Sequence, residues 1–103
     1  MTLWFRSYWD EADLWFYFEV DGDGWVSRQV ELLGPAGTPI TAASLEEWQH
    51  AQVMGRLSQY AGTYGSTAEI PIQEWEGYDP HPLTRTEFEA VWTRARRHLE
   101  ELR

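Results

Sequence analysis

The chain has 103 residues, enough for one domain built on one hydrophobic core and not two. Its composition, 43% apolar and 24% charged, is that of a folded globular protein, and the absence of cysteine excludes disulfides, a thiolate nucleophile and cysteine-based metal sites. Seventeen acids against eight arginines, with no lysine, set the net charge at −9, a balance that repels nucleic acid and anionic membranes and either attracts a basic partner or merely keeps an aromatic-rich chain soluble.

Three strands are expected at the start. Leu3 to Trp9, Leu14 to Asp21 and Trp25 to Leu33 are dense in aromatic and β-branched residues. Asp10 to Asp13 separates the first two. Asp21-Gly22-Asp23-Gly24 separates the second pair, and an Asp-Gly step between strand-like runs is a strong hairpin signal. Residues 1–33 therefore read as an antiparallel meander, punctuated after Leu33 by the run GPAGTP. The two-residue period divides it into two faces. Leu3, Phe5, Trp9, Leu14, Phe16, Phe18, Val20, Val26, Val30 and Leu32 form the expected core face. Trp4, Arg6, Tyr8, Trp15, Tyr17, Glu19, Ser27, Gln29 and Glu31 form the other, which is too apolar for an ordinary wet face and too polar for a second core.

A second helix is expected near 44–58, running on towards Tyr60. Ser44 and Glu47 fit a capping box, but Leu45, Trp48, Ala51, Met54 and Leu57 recur every three residues and drift around the helix, and Gly55 weakens its interior. Tyr60 to Gly65 and Ala68 to Ile72 read as short extended pieces, and residues 73–82, with Pro80 and Pro82, as irregular. The clearest helix is the last. Thr84 and Glu87 form a capping box, and Phe88, Val91, Trp92, Ala95, Leu99 and Leu102 make one apolar stripe, which should cover the core face. Glu87 and Glu89 near its start, and Arg96, Arg97 and Arg103 towards its end, suit the helix dipole.

Catalytic signatures are missing. His50, His81 and His98 lack metal-ligand spacing, and there is neither a phosphate loop with its lysine nor a nucleophile elbow. Asp21-Gly22-Asp23-Gly24 is similar to the opening of a calcium loop, but Trp25, Val26 and Leu32 stand where such a loop needs an oxygen ligand, a glycine and a glutamate. No enzyme activity, cofactor or metal is expected. Two features remain. One is the mixed face with Trp4, Arg6, Tyr8, Trp15, Tyr17, Glu19 and Glu31, whose residue types are those of interface anchors, unless residues 44–72 fold over it and make it a second core. The other is the acidic aromatic segment with Glu74, Trp75, Glu76, Tyr78 and Asp79, which either grips a basic partner or is a solvated loop pinned by Trp75.

The stretch from Trp15 to Leu32 resembles a small bacterial domain family of unknown function, with a strand, an acidic residue before a turn and a second strand carrying Arg28, Val30 and Glu31. The resemblance resumes at Ala68 to Ile72 and at Thr84 to Trp92, and together these parts cover about half of the chain. It implies a sheet-plus-helix fold and no activity.

The charge is uneven: residues 1–83 hold 13 acids and 3 arginines, a net −10, and residues 84–103 hold 4 acids and 5 arginines, a net +1. The expectation is a single α+β domain over 1–103, an antiparallel sheet of three to five strands with the C-terminal helix on one face. Its expected role is to bind a basic protein, as an immunity protein neutralises a bacterial toxin. The alternatives are a small-ligand module in which Trp4, Trp15 and Tyr17 surround Arg6, a nucleic-acid mimic, and a homodimer formed through the mixed face. The N-terminal MTLWFRSYWDEADLW lacks the basic stretch and apolar run of a signal peptide, and no segment approaches the roughly 20 apolar residues of a membrane span, so a cytoplasmic location is expected.

Overall fold

The aromatic and β-branched runs at the start of the chain pair as antiparallel strands in a computed structural model that describes residues 1–102. Strands β1 (Leu3–Trp9), β2 (Leu14–Val20), β3 (Val26–Leu33) and β4 (Thr38–Ser44) are followed by helices α1 (Leu45–Val53) and α2 (Leu57–Tyr64). A short 3-10 turn (Ile72–Glu74), strand β5 (His81–Pro82) and helix α3 (Arg85–Glu101) complete the chain. The sheet is five-stranded in the order β4-β3-β2-β1-β5, antiparallel throughout.

Two strands go beyond the sequence expectation. The run after the GPAGTP punctuation, Thr38 to Ser44, continues the meander as β4, its β-branched Thr38, Ile40 and Thr41 suiting the pleat. Residues 73–82 are irregular as expected until His81 and Pro82, which add a two-residue edge to β1 opposite Arg6 and Phe5. The expected single helix after Ser44 divides in two. Ser44 does cap it, accepting the Glu47 N–H at 3.3 Å, but Gly55 adopts a φ of +69° and breaks the run, so the three-residue drift is that of two short helices. Tyr60 to Tyr64 belongs to α2 and is not extended, and neither is Ala68 to Ile72, which forms bends leading into the 3-10 turn. The capping box of α3 is formed, with Thr84 Oγ1 accepting the Glu87 N–H at 3.1 Å and Glu87 Oε1 accepting the Thr84 N–H at 2.8 Å. Leu102 ends the helix exposed rather than in the stripe, and Arg103 lies outside the described residues.

The main correction concerns the faces. Helix α3 does not cover the Phe5–Phe18 face. Its Phe88, Ala95 and Leu99 pack on the mixed face, with Tyr17, Val30, Leu32 and Ala42 buried beneath and Trp4 and Trp15 alongside. Residues 44–72 are therefore not what covers that face; α1 and α2 pack against β3 and β4 at its margin. The register explains part of the difference. Tyr17 lies opposite Val30 and Trp15 opposite Leu32, so these aliphatic residues belong with the mixed face. A bulge at Ser27 lets Val26 pair with Val20 while Arg28 pairs with Glu19, turning Val26 to the other side from Val30.

That other side holds a second cluster of Phe5, Phe18, Val20 and Val26, which residues 66–80 cross as a strap. Hydrogen bonds fasten the first part of the strap to the sheet and its β2–β3 turn. The Ala68 N–H donates to Gln29 Oε1 (2.9 Å), the Ile72 N–H to the Gly24 carbonyl (2.9 Å), and Gln73 Nε2 to the Asp23 carbonyl (3.1 Å). Gly24 suits its turn because its φ is +89°, and a Cβ there would displace the flexible Gln73 amide, 1.9 Å away, from its bond to the Asp23 carbonyl.

Candidate functional site

The sequence candidates separate onto the two sides of the sheet. Trp4, Arg6, Tyr8, Trp15, Tyr17 and Glu19 lie on the α3 side, and the polar groups of Trp4, Arg6, Tyr8, Tyr17 and Glu19 make hydrogen bonds within the fold. Trp4 Nε1 donates to Glu19 Oε2 (3.0 Å), and Arg28 grips the same carboxylate through Nε (2.9 Å) and Nη2 (2.6 Å). Arg28 also pairs with Glu89 of α3 while lying over Phe88 and Trp92. The hydrogen bonds from Arg28 outweigh burial and hold the Glu19 carboxyl at about 2. Burial would depress the Arg28 guanidinium, but its two carboxylates reverse this and raise it. Arg6 stands 4.3 Å above the Trp15 ring and donates to the Tyr17 hydroxyl (3.2 Å). Tyr8 stacks on Trp15 and donates to Asp13 Oδ1 (2.7 Å). The mixture of rings and charges that made this face hard to classify is thus a set of paired polar groups under and beside a helix.

A further network joins the helices. Arg96 of α3 lies over Trp92 and Tyr64, donates to the Ala42 carbonyl (2.8 Å) and pairs with Glu47 of α1. Burial raises the Tyr60 hydroxyl to about 12 where it meets Glu47 and Ser44. Burial would also raise Glu47, but Arg96 and Tyr60 outweigh it and its carboxyl is held below the usual range.

Glu74, Trp75, Glu76 and Tyr78 come together on the opposite side, where the strap and the sheet enclose a groove of about 560 Å³. A continuous ladder of rings forms it: Trp9 to Phe16 (6.3 Å between centroids), Phe16 to Phe18 (5.8 Å), Phe18 to Trp75 (4.9 Å) and Trp75 to Tyr78 (5.3 Å). Trp75 is half-buried and fixed by its Nε1–H to the Ile70 carbonyl (3.1 Å). Trp9 (48% exposed), Ile70 (49%) and Tyr78 (36%) leave apolar surface open at the rim. Glu74 and Glu76 line the groove, and Glu31 sits beside it opposite Phe16, accepting from Thr41 Oγ1 (2.9 Å) and Gln29 Nε2 (3.3 Å). Asp79 stands apart at the sheet edge, its backbone bonded to Ser7 and its carboxylate 3.3 Å from His81.

Sequence reasoning singled out the strap residues but missed Trp9, Phe16, Phe18 and Ile70. Their shared face was legible from the two-residue period; what hid them was the expectation that a helix lay on it. Among the described residues no arginine lines the groove, and Glu31, Glu74 and Glu76 form no ion pair. The described residues contain no cluster of three or more acidic or histidine side chains placed to hold a metal, and no helix long and apolar enough to cross a membrane. Comparison with family models, curated proteins and solved structures finds no match to this chain.

Proposed function

We propose that the chain is an acidic, non-enzymatic binding protein that holds a basic protein partner in the groove between strap and sheet, as an immunity protein neutralises a toxin such as a nuclease. The observation that carries this reading is a ladder of partly exposed rings with Glu74 and Glu76 in the groove lining and Glu31 on the same face opposite Phe16, and with no arginine lining the groove among the described residues. Rings of this kind supply interface anchors, and unpaired carboxylates at the rim select a basic surface and speed the encounter. The perturbed carboxylates Glu19 and Glu47, by contrast, are consumed in ion pairs that tie α3 to the sheet and to α1, which is a structural use of charge. The resemblance to a bacterial domain family of unknown function, together with a cytoplasmic site of action, belongs to the same proposal.

The test is co-expression with a panel of basic bacterial toxin domains, nucleases among them, scoring growth and isolating any complex. The wild-type chain should restore growth, and a folded E74Q/W75A/E76Q variant should lose that protection by at least about tenfold. Equal protection by wild type and variant, or no complex with any of the basic domains, would overturn the reading.

The groove volume of about 560 Å³ also falls in the range of small-molecule sites, roughly 300–1,000 Å³. Under that second reading a small aromatic cation, rather than a protein, would occupy the rings, and it would co-purify with the chain and be lost from the same variant.

A further inference from the structure

On the α3 side the protein builds the same small assembly twice: an arginine lying on two aromatic rings with a carboxylate at its edge. Arg28 is 4.9 Å from the Phe88 ring and 5.0 Å from the Trp92 ring, paired with Glu19 and Glu89. Arg96 is 3.9 Å from Tyr64 and 4.4 Å from Trp92, paired with Glu47. A guanidinium suits such a place because it is planar, weakly hydrated and able to stack while donating to a carboxylate.

The same residue types converge at the far end of the β2–β3 hairpin. Trp25 from the turn and Trp48 from α1 border a cleft of about 500 Å³, with Asp21 and Glu69 on its walls. Trp25 is 41% exposed. Asp21 Oδ1 accepts the N–H groups of Asp23 (2.9 Å) and Trp25 (3.0 Å), which fixes the carboxylate, while Oδ2 has no hydrogen-bond partner among the described residues. Glu69 makes no ion pair among them either, and none of the described arginines lines the cleft. Ala68 of the strap borders both this cleft and the aromatic groove, so the two lie on either side of one ridge.

We infer that the Trp25–Trp48 cleft is a second anchoring site, which receives an arginine side chain of the same basic partner. The inference rests on the proposed role of the groove and extends it. The two tryptophans face the guanidinium, and Asp21 and Glu69 accept its N–H groups. The partner's arginine thus takes the place that Arg28 and Arg96 take within the fold. A neutral side chain of the same shape gains no cation–π attraction and only weaker, uncharged hydrogen bonds to the carboxylates, so the site discriminates by charge.

The experiment is a titration of the 15N-labelled chain with arginine amide, and in parallel with citrulline amide, following the assigned indole N–H resonances. Arginine amide should shift Trp25 and Trp48, and citrulline amide should not. Trp25→Ala should weaken the response still seen at Trp48 about tenfold, and Glu69→Gln, an exposed substitution that leaves packing alone, about two- to fivefold. Equal shifts with citrulline amide, or no loss in Glu69→Gln and Trp25→Ala, would overturn the inference. Shifts confined to Trp9 and Trp75 would overturn the cleft and leave the groove standing. Shifts confined to Trp25 and Trp48 would uphold the cleft and count against the groove. Silence at all four indoles would remove both.

Discussion

Glu19 shows how one carboxylate becomes a structural joint. It accepts from Trp4, Ser27 and Arg28 at once, and Arg28 carries the connection on to Glu89 in α3. Breaking such a pair from one side leaves a partly buried charge without its partner, which costs more than the pair contributes. The pH dependence follows from the depressed carboxyl. Its folded value is about 2 against an ordinary 4.5, so the unfolded chain binds the proton more readily, and the stability gained from Glu19 is present above about 4.5 and lost as pH falls towards 2. Urea unfolding midpoints should therefore fall across that window in the wild type. In Glu19→Gln the midpoint should be lower at neutral pH and the fall shallower. Parallel curves for the two proteins would contradict this.

At the scale of elements, the placement of α3 decides which aromatic residues are core and which are surface. Phe88, Ala95 and Leu99 are buried against Tyr17, Val30, Leu32 and Ala42, while Phe16 and Trp9 on the opposite face lie under no helix and line the groove beside the strap. Removing the rings under the helix should therefore be expensive. Trp15→Ala/Tyr17→Ala is expected to lose roughly 4 kcal/mol or more, taking the lower part of the range for large aromatic truncations because Trp15 is only half-buried. A domain stabilised by about 5–15 kcal/mol would be largely unfolded or close to it. Circular dichroism and the denaturant midpoint provide the check, and a fully stable double variant would show that α3 does not depend on these rings. The amphipathic stripe and capping box of α3 were legible before the fold was known. Its destination was not, because both faces of the meander offered enough apolar surface to receive it. The split of the expected 44–58 helix was half-legible, through Gly55 and the three-residue drift.

For the whole molecule, charge and fold divide in the same direction. Arg28 and Arg96 are held in ion pairs on the α3 side, and α3 also carries Arg85, Arg94 and Arg97, whereas Glu74 and Glu76 border the groove without a cation. Two of the 17 acids, Glu74 and Glu76, thus lie beside the exposed rings with no described arginine in the groove lining. Long-range attraction of a basic partner is screened as the Debye length shrinks from about 30 Å at 0.01 M salt to about 8 Å at 0.15 M. The association rate with that partner, followed by stopped-flow tryptophan fluorescence, should fall at least about tenfold over this range. The dissociation rate, governed by the packed rings, should change much less. A salt-independent association rate would mean that the acidity serves only solubility.

Much about this protein was determined along the chain itself. The strands at 3–9, 14–20 and 26–33, the caps at Ser44 and Thr84, the acidity of the first 83 residues and the membership of Trp75 and Tyr78 in one segment all follow from local rules of backbone preference, hydrogen bonding and side-chain period. The tertiary structure alone decided that Tyr17 and Trp15 lie beneath a helix, that Trp9 and Phe16 border a groove, and that Trp25 meets Trp48 across a cleft. The physical reason is that alternation along a strand says which side chains share a face but not what will cover it. That choice depends on strand register, on the Ser27 bulge and on which face can pair its buried charges, and here Glu19 and Arg28 made the mixed face the one a helix with Glu89 could close.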